Sequence, residues 1–313
     1  MYGDYVLQPV SSYRRSQTMN IAELEALKAV AETGSFTRAA VRLGMSQPGL
    51  SRQIQRLERE LGTRLLERRG AGALLTDAGR ESIQFAIRSI SDFDALVSRF
   101  GPDPSALTGV IRIVASSTPA EYLVPALVSE FTQAHTGISV EVLVADSAQV
   151  VRTLGDRQAD LGLSGMPSSP VGYSTIAMAK DEVVLAVSSN HKFADQRSIT
   201  IDKLRDGNII EREGGSGTWQ TVVQSLSKAG IELPEHKASM ILGSTQAVVA
   251  AVEQNLGVGF VSNNAVLNHG NKVAAVRIDG LSLERDLSLV YETGRVRGRH
   301  TQAFIDFAKT KSS

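Results

Sequence analysis

Residues 35–57 read SFTRAAVRLGMSQPGLSRQIQRL, and the spacing within this stretch predicts two short helices with a tight joint. Ser35 can cap the first helix, its hydroxyl accepting from a free backbone N–H of the first turn. Phe36, Ala39, Ala40 and Leu43 then fall at i, i+3, i+4 and i+7, one apolar stripe at helical period. Gly44 follows, where a helix stop favours a residue tolerant of positive φ. Ser46 caps a second helix, with Pro48 in its first turn, where the missing N–H costs nothing. Leu50, Ile54 and Leu57 make the second stripe. Two short helices about a glycine joint suit a helix-turn-helix, and the second presents Gln47, Ser51, Arg52, Gln55 and Arg56 away from its stripe. Amides and guanidiniums can hold a base edge with two hydrogen bonds, and hydroxyls and arginines can hold phosphates. A helical hairpin in an ordinary all-α domain has the same spacing, so the pattern by itself leaves both readings open.

Charge separates them further. The chain of 313 residues is formally neutral, yet Arg38–Arg69 holds eight arginines (Arg38, Arg42, Arg52, Arg56, Arg59, Arg64, Arg68 and Arg69) against Glu58, Glu60 and Glu67, a local net of +5. A basic face of this kind is the electrostatic footprint of a nucleic-acid binder. Some of these arginines belong to solvated ion pairs, such as Arg56 with Glu60. Cysteine is absent, which excludes disulfides and thiolate chemistry and is compatible with the cytosol. The five histidines (His135, His191, His236, His269, His300) show no metal-ligand spacing. No apolar run approaches the roughly 18 residues of a membrane span. Hydrophobic content of 42% suits a folded α/β protein of two or three domains.

The wording of the stretch and its surroundings closely resembles the N-terminal domain of LysR-type transcriptional regulators. The resemblance rests on Gly34-Ser35-Phe36, Ala39-Ala40, Leu43, Ser46-Gln47-Pro48, Leu50-Ser51, Ile54, Leu57-Glu58, Leu61-Gly62, Leu65-Leu66-Glu67-Arg68 and Leu75-Thr76-Asp77-Ala78-Gly79. Gly49 departs from it, since the family usually carries alanine there, at a helix cost of roughly 1 kcal/mol. Ser35, Thr37, Arg38, Ser46, Gln47, Pro48, Ser51, Arg52, Gln55 and Arg56 are the expected DNA contacts of the helices. Thr63–Leu75 is expected to form a two-stranded wing, with Arg64, Arg68 and Arg69 on phosphates.

The remaining chain divides as follows. Residues 1–18 are expected to be a flexible extension ahead of Met19. Ser12-Tyr13-Arg14-Arg15 faintly suggests a twin-arginine export signal, but Asn20, Glu23 and Glu25 follow instead of an apolar region. Residues 19–76 form the winged helix-turn-helix, opened by a supporting helix over 20–33, and 77–107 form a linker helix and hinge. In that helix Ile83, Ala86, Ile90, Phe93, Val97 and Phe100 step by 3, 4, 3, 4, 3, a heptad seam; an amphipathic helix on a globular core gives a similar stripe, and the position between a DNA-binding module and a linker favours dimerisation. Gly101-Pro102-Asp103-Pro104-Ser105 then marks the clearest boundary.

From Thr108 short β runs alternate with helices: a strand over Val110–Ala115, a helix over Pro119–Ala134, a strand over Ile138–Val144, a helix over Ala148–Leu154 and a buried strand at Leu161-Gly162-Leu163. A second cycle begins near Glu182–Val187. The pattern predicts a mostly parallel sheet in two lobes, about 108–180 with 277–313, and about 181–276. This half is similar to the family's effector domain, itself similar to periplasmic solute-binding proteins. The fold class is therefore α/β: an N-terminal winged helix-turn-helix, a long linker helix and a two-lobed effector domain. Ser116-Ser117-Thr118-Pro119-Ala120-Glu121-Tyr122, Asp160-Leu161-Gly162-Leu163, Glu213-Gly214-Gly215-Ser216-Gly217-Thr218 and Gly243-Ser244-Thr245-Gln246-Ala247-Val248 resemble regulators of sulfur metabolism, including sulfite-responsive ones, and of carbon fixation.

Ligands of open α/β sheets sit at the carboxyl ends of strands. Ser116, Ser117, Thr118, Ser164, Gly165, Ser216, Gly217, Thr218, Ser244 and Thr245 fit that placement and offer hydroxyls and helix N-termini, an anion site without a cationic side chain. The effector predicted from them is a sulfur oxyanion, such as sulfite or sulfate, or a small carboxylate. The same Ser and Thr could equally be plain helix caps. Gly162–Met166 and Gly214–Thr218 both miss G-x-S-x-G at the last position, and no lysine follows the latter for a phosphate loop; no enzyme activity, cofactor or metal is expected. The expected partners are double-stranded DNA, the small anion, further copies of the chain as a homodimer or homotetramer, and RNA polymerase, in the cytoplasm and away from membranes. The rival from another class is a solute-binding protein with a helical oligomerisation module.

Overall fold

The computed structural model describes residues 19–69, 72–100, 107–166, 170–205, 207–232 and 237–312; the expected extension over 1–18 and the hinge residues 101–105 lie outside them. The chain forms two compact units, one ending at Asp94 and one beginning at Ala95.

The first unit opens with α1 (Ile21–Thr33), whose cap Asn20 and third residue Glu23 form a reciprocal capping box. The helix-turn-helix follows as α2 (Phe36–Arg42) and α3 (Gln47–Leu61). Gly44 sits at φ 65° in the joint. The expected stripes hold: Ala39, Ala40, Leu50, Ile54 and Leu57 are buried with Leu24, Leu27 and Val30 of α1. The wing is β1 (Leu66–Arg69) paired antiparallel with β2 (Gly72–Leu75). Glu58 of α3 anchors it by accepting from the backbone N–H of Leu65 (2.8 Å) and Leu66 (3.2 Å). Thr76 then donates to the Arg64 carbonyl and accepts from Gly79 N–H, starting α4 (Asp77–Arg99). Gly79 packs against the Leu65 carbonyl so closely that any side chain there would collide with it. That is a steric reason for the Thr-Asp-Ala-Gly wording.

The seam on α4 divides in two. Ile83, Ala86 and Ile90 are buried in the unit's own core, which corrects their assignment to a dimer contact: the period that would meet a partner here meets α1–α3 of the same chain. Phe93 and Val97 are exposed, together with Phe85 and Leu96, and these four residues fall on one side of the helix; Phe100, just past its end, is exposed as well.

The second unit is built on one sheet. β3 (Gly109–Ser116), β4 (Ile138–Ala145) and β5 (Leu161–Ser164) run parallel in the first lobe. In the second lobe β8 (Asn208–Arg212) pairs parallel with β9 (Lys237–Leu242) and β10 (Val258–Ser262). The connection is made by β6 (Tyr173–Ser188), sixteen residues long, and β12 (Glu284–Glu292), with the order β4-β3-β5-β12-β6-β10-β8-β9. β6 pairs antiparallel with β12 along its first part, and with β10 and β11 (Val273–Ile278) along its second. A two-residue β7 (Ser198–Ile199) pairs with β11. The expected strand near Glu182–Val187 is thus only the far half of β6, and the sheet is mixed because the two connecting strands run against both lobes.

Helices cover the faces. The expected helix over 119–134 is two, α5 (Ser117–Tyr122) and α6 (Val124–Ala134). Pro125, in the first turn of α6, cannot donate to Glu121 and forces the break. α7 (Ser147–Gly155) and α11 (Arg299–Thr310) complete the first lobe, and α8 (Gly217–Ala229), α9 (Thr245–Glu253) and the short α10 (Asn263–Leu267) the second. Ile111, Ile113, Phe131, Leu161, Leu163, Leu289 and Phe304 fill the first lobe's core, and Leu185, Ile209, Val222, Phe260 and Val276 the second's. The parallel strands of both lobes end at the junction between them, so the loops after β3, β4, β5, β8 and β9 converge there. Two outer edges stay apolar and exposed: Val142, Leu143 and Val144 on β4, and Met240 and Ile241 on β9.

Candidate functional site

On the first unit Ser46 caps α3, accepting from Gly49 N–H (3.2 Å), and holds Gln47 and Pro48 exposed at the helix start, with Arg52 and Gln55 exposed on following turns and Ser51 half-buried. Ser35 caps α2, accepting from Arg38 N–H, while the Arg38 guanidinium donates to the Thr33 carbonyl; Thr37 is exposed beside them. Arg56 has a different partner from the one its spacing suggests. Its guanidinium lies 3.0 Å from the buried Glu23 carboxylate and only 3.7 Å from Glu60. Arg56 therefore fastens α3 to α1, and a desolvated carboxylate needs that cation. A groove of about 750 Å3 runs between α3 and the wing, lined by Ser51, Gln55, Glu58, Arg64 and Glu67 among others. Arg68 and Arg69 fall on β1, and their side chains lie outside the described residues.

On the second unit the predicted hydroxyls meet across the junction of the lobes. Ser117 Oγ lies 3.1 Å and Thr118 Oγ1 3.3 Å from Thr245 Oγ1, all three buried. The expectation of a site without a cation is overturned. Arg212, the last residue of β8, donates to Thr245 Oγ1 (3.3 Å) and to Ser117 Oγ (3.4 Å). Arg285 of β12 donates to Thr118 Oγ1 (3.2 Å). Both guanidiniums are almost wholly buried, at 3% and 2% side-chain exposure, and both are paired. Arg212 takes the neighbouring Glu213 carboxylate at 2.9 Å through both Nε and Nη2. Arg285 takes Asp181 at 2.8 Å, the residue opposite it in the β6–β12 ladder, and Asp181 also accepts from Ser262. Burial pulls the Arg285 guanidinium below its ordinary pKa and the Asp181 carboxylate pulls it back up.

The other predicted residues take separate parts. Ser216 and Ser244 are caps, accepting from Trp219 N–H (3.4 Å) and Ala247 N–H (3.1 Å), as their plainer reading had it. Ser116 begins α5 without a side-chain cap bond. Gly217 is a point of close approach: a Cβ there would lie 2.7 Å from Ser147 Oγ and 2.9 Å from the Gly165 carbonyl oxygen. Ser116, Ser117, Thr118, Ser216, Gly217 and Thr218 enclose, with Arg212, Glu213 and Arg285, a cavity of about 10 Å3, room for one water-sized molecule. Ser164 faces a different space, a cavity of about 430 Å3 that Lys180, Lys228 and Arg285 also line. Its Oγ is buried without a hydrogen-bond partner. Around the cleft Tyr122 OH lies 2.6 Å from the Gln246 amide, and burial, followed by the nearby Glu121 carboxylate, pushes the phenol up to about 12.

Arg212 and Arg285 escaped the sequence reading for different reasons. Arg212 carried a faint signal, a cation within the charged triplet Glu211-Arg212-Glu213 that follows Ile209-Ile210 of a strand ending at the cleft. Arg285 carried none, because its partner lies 104 residues away and only the β6–β12 register joins them. Among the described residues no group of three or more His, Asp or Glu side chains is placed to hold a metal ion, and no helix is long and apolar enough to cross a membrane.

These features agree with known proteins. Residues 21–80 match the model of the bacterial regulatory helix-turn-helix protein, lysR family, and residues 104–313 that of the LysR substrate binding domain. The chain is 29% identical over 300 residues to a RuBisCO operon transcriptional regulator of Allochromatium vinosum, covering 94% of this chain and 97% of the relative. Its fold is similar to that of full-length CbnR complexed with its target DNA (TM-score 0.69, 23% identity, 94% of this chain and 100% of that one). The second unit is similar to the regulatory domain of Synechocystis CcmR in complex with 2-PG (TM-score 0.59, 23% identity, 66% of this chain and 98% of that one). The named relative belongs with the carbon-fixation half of the resemblance. With both of its units matched, one as a DNA-reading module and the other as an effector domain, the chain belongs to the LysR family of DNA-binding transcriptional regulators and is not an enzyme.

Proposed function

We propose that this regulator, working in the cytoplasm, binds a small carboxylate or sulfur oxyanion between the two lobes of its second unit and changes its grip on DNA in response. The observation that carries this reading is the pair of buried guanidiniums, Arg212 and Arg285, set among the hydroxyls of Ser117, Thr118 and Thr245. Buried cations are costly without partners, and these two bind residues of both lobes, so an anion that engages them acts on the lobe junction directly. The naming of 2-PG as the ligand of the CcmR domain favours a carboxylate-bearing or phosphorylated metabolite over sulfite or sulfate.

On the DNA side Gln47, Pro48, Ser51, Arg52 and Gln55 face the major groove, and Arg64, Arg68 and Arg69 follow the backbone beside it. Ser35 and Ser46 support this face as caps, and Thr37 and Arg38 flank it. Arg56 is structural. Two copies join through the exposed stripe of α4, and the apolar edges of β4 and β9 give a second contact from which a tetramer can be built. The anion alters lobe geometry, and with it the spacing at which paired recognition helices meet half-sites.

Isothermal titration of the full-length protein with 2-PG, glycolate, sulfite and sulfate tests the ligand. A carboxylate-bearing compound gives heat with the wild type and none with Arg212→Gln. No heat from any of the four removes the anion from this reading.

A further inference from the structure

The cleft already contains an anion of its own. Glu213 approaches the Arg212 guanidinium side-on, with Oε2 2.9 Å from Nε and Oε1 2.9 Å from Nη2, the two-point grip that arginine uses on free carboxylates and phosphates. Thr245 Oγ1, Ser117 Oγ and the Leu242 carbonyl take further bonds from the same guanidinium. The edge formed by Nε and Nη2 is therefore where an incoming carboxylate would be held, and Glu213 holds it. The two partners differ in access, since the arginine side chain is 3% exposed and the glutamate 24%. The space beside them measures about 10 Å3, enough for a water and too little for a metabolite. Gly214 and Gly215 follow Glu213 directly; nothing stands within 4 Å of where a Gly214 side chain would begin, whereas Gly215 packs against the Asp146 carboxylate and its carbonyl accepts from Ala148 N–H, so the backbone here is anchored and the part free to leave is the Glu213 side chain.

We infer that Glu213 is a built-in stand-in for the effector, occupying the anion subsite on Arg212 until a ligand with a terminal carboxylate or phosphate takes its place. This rests on the effector-site reading above and adds its regulation. The exchange frees room and a cation at once, and it leaves the guanidinium paired throughout. It also ties ligand entry to the Glu213–Ser216 loop that opens α8, and so to the second lobe. The internal carboxylate lowers the apparent affinity by the fraction of time it fills the subsite, which sets a threshold concentration for response.

The test is calorimetric titration of 2-PG, and separately of inorganic phosphate, into the full-length wild type, Glu213→Gln and Glu213→Asp. The Gln variant removes the charge and keeps the shape. The Asp variant keeps the charge and shortens its reach. Both variants bind at least one of the two anions ten-fold or more tighter than the wild type. Anion binding to the wild type with no gain in either variant overturns the stand-in role and leaves the effector site in place. Absence of binding to all three proteins overturns both. Agreement between the two variants guards against a folding defect in one of them.

Discussion

Arg285→Met is the most informative single change in the second unit. The side chains of Arg285 and Asp181 are 2% and 0% exposed, and they sit opposite one another on the two strands that join the lobes. Removing the guanidinium leaves Asp181 with Ser262 Oγ and, at 3.5 Å, the Asn264 amide. A buried carboxylate stripped of its cation costs about 3–5 kcal/mol. For a unit of this size each kcal/mol lowers the melting point by about 2–4 °C, so the expected loss is roughly 6–20 °C. Asp181→Asn strands the arginine in the same way, with Thr118 as its remaining partner. The double variant Asp181→Asn/Arg285→Met strands neither charge and is less destabilised than either single variant. Urea unfolding followed by tryptophan fluorescence reads this directly, because Trp219 is the sole tryptophan and packs near Phe260 in the second lobe. Single variants costing under about 1 kcal/mol, or a double variant equal to the sum of the singles within about 0.5 kcal/mol, would refute the pair as the unit that organises the junction.

Other changes separate the parts of the DNA-binding unit and the linker. Gln47→Ala lowers preference for operator over random DNA by about 1–3 kcal/mol while nonspecific binding persists, as competition shifts show. Arg64→Ala weakens all sequences alike and reduces the salt slope by about one. Phe93→Glu with Val97→Glu, at two exposed apolar positions of α4, shifts sedimentation toward the monomer and leaves the circular dichroism of the unit unchanged. His300 tests a titration: burial, ahead of all other causes, holds its imidazole below the ordinary 6.5, beside Ser98 Oγ at 3.3 Å. A depressed value means that the folded state resists the proton, so the contribution is complete above 6.5 and is lost as pH falls through the folded value. Between pH 7 and 5 the wild type therefore loses more stability than His300→Gln in urea titrations.

What could be read from the chain was local. The caps Ser35 and Ser46, the joint at Gly44 and the stripes on α2 and α3 depend on residues within a turn or two of each other, and each lies where its spacing put it. The heptad seam was legible as a period but ambiguous in its partner, because Ile83, Ala86 and Ile90 serve the chain's own core at the same spacing that Phe93 and Val97 offer to solvent. Pro125 marks the break between α5 and α6 within the span 119–134 that alternation alone reads as one helix. The lobe junction was legible in its hydroxyls, which follow strands and precede helices, and illegible in its charges. Asp181 and Arg285 acquire their roles only when β6 and β12 fix a register across the domain, and Arg212 only when the fold sets the end of β8 against Ser117 of the other lobe. Arg56 shows the converse, a residue expected on DNA from its exposed face whose guanidinium also pairs with the buried Glu23 on another helix.

The most direct measurement is binding of the full-length protein to its own promoter-proximal DNA, by fluorescence anisotropy at moderate salt, with and without 2-PG, against random DNA of equal length. A regulator built this way binds the promoter fragment at least a thousand-fold tighter than random DNA, and the anion changes that affinity or the footprint in the wild type and not in Arg212→Gln. Equal affinity for promoter and random DNA, or a ligand effect that survives in Arg212→Gln, would contradict it.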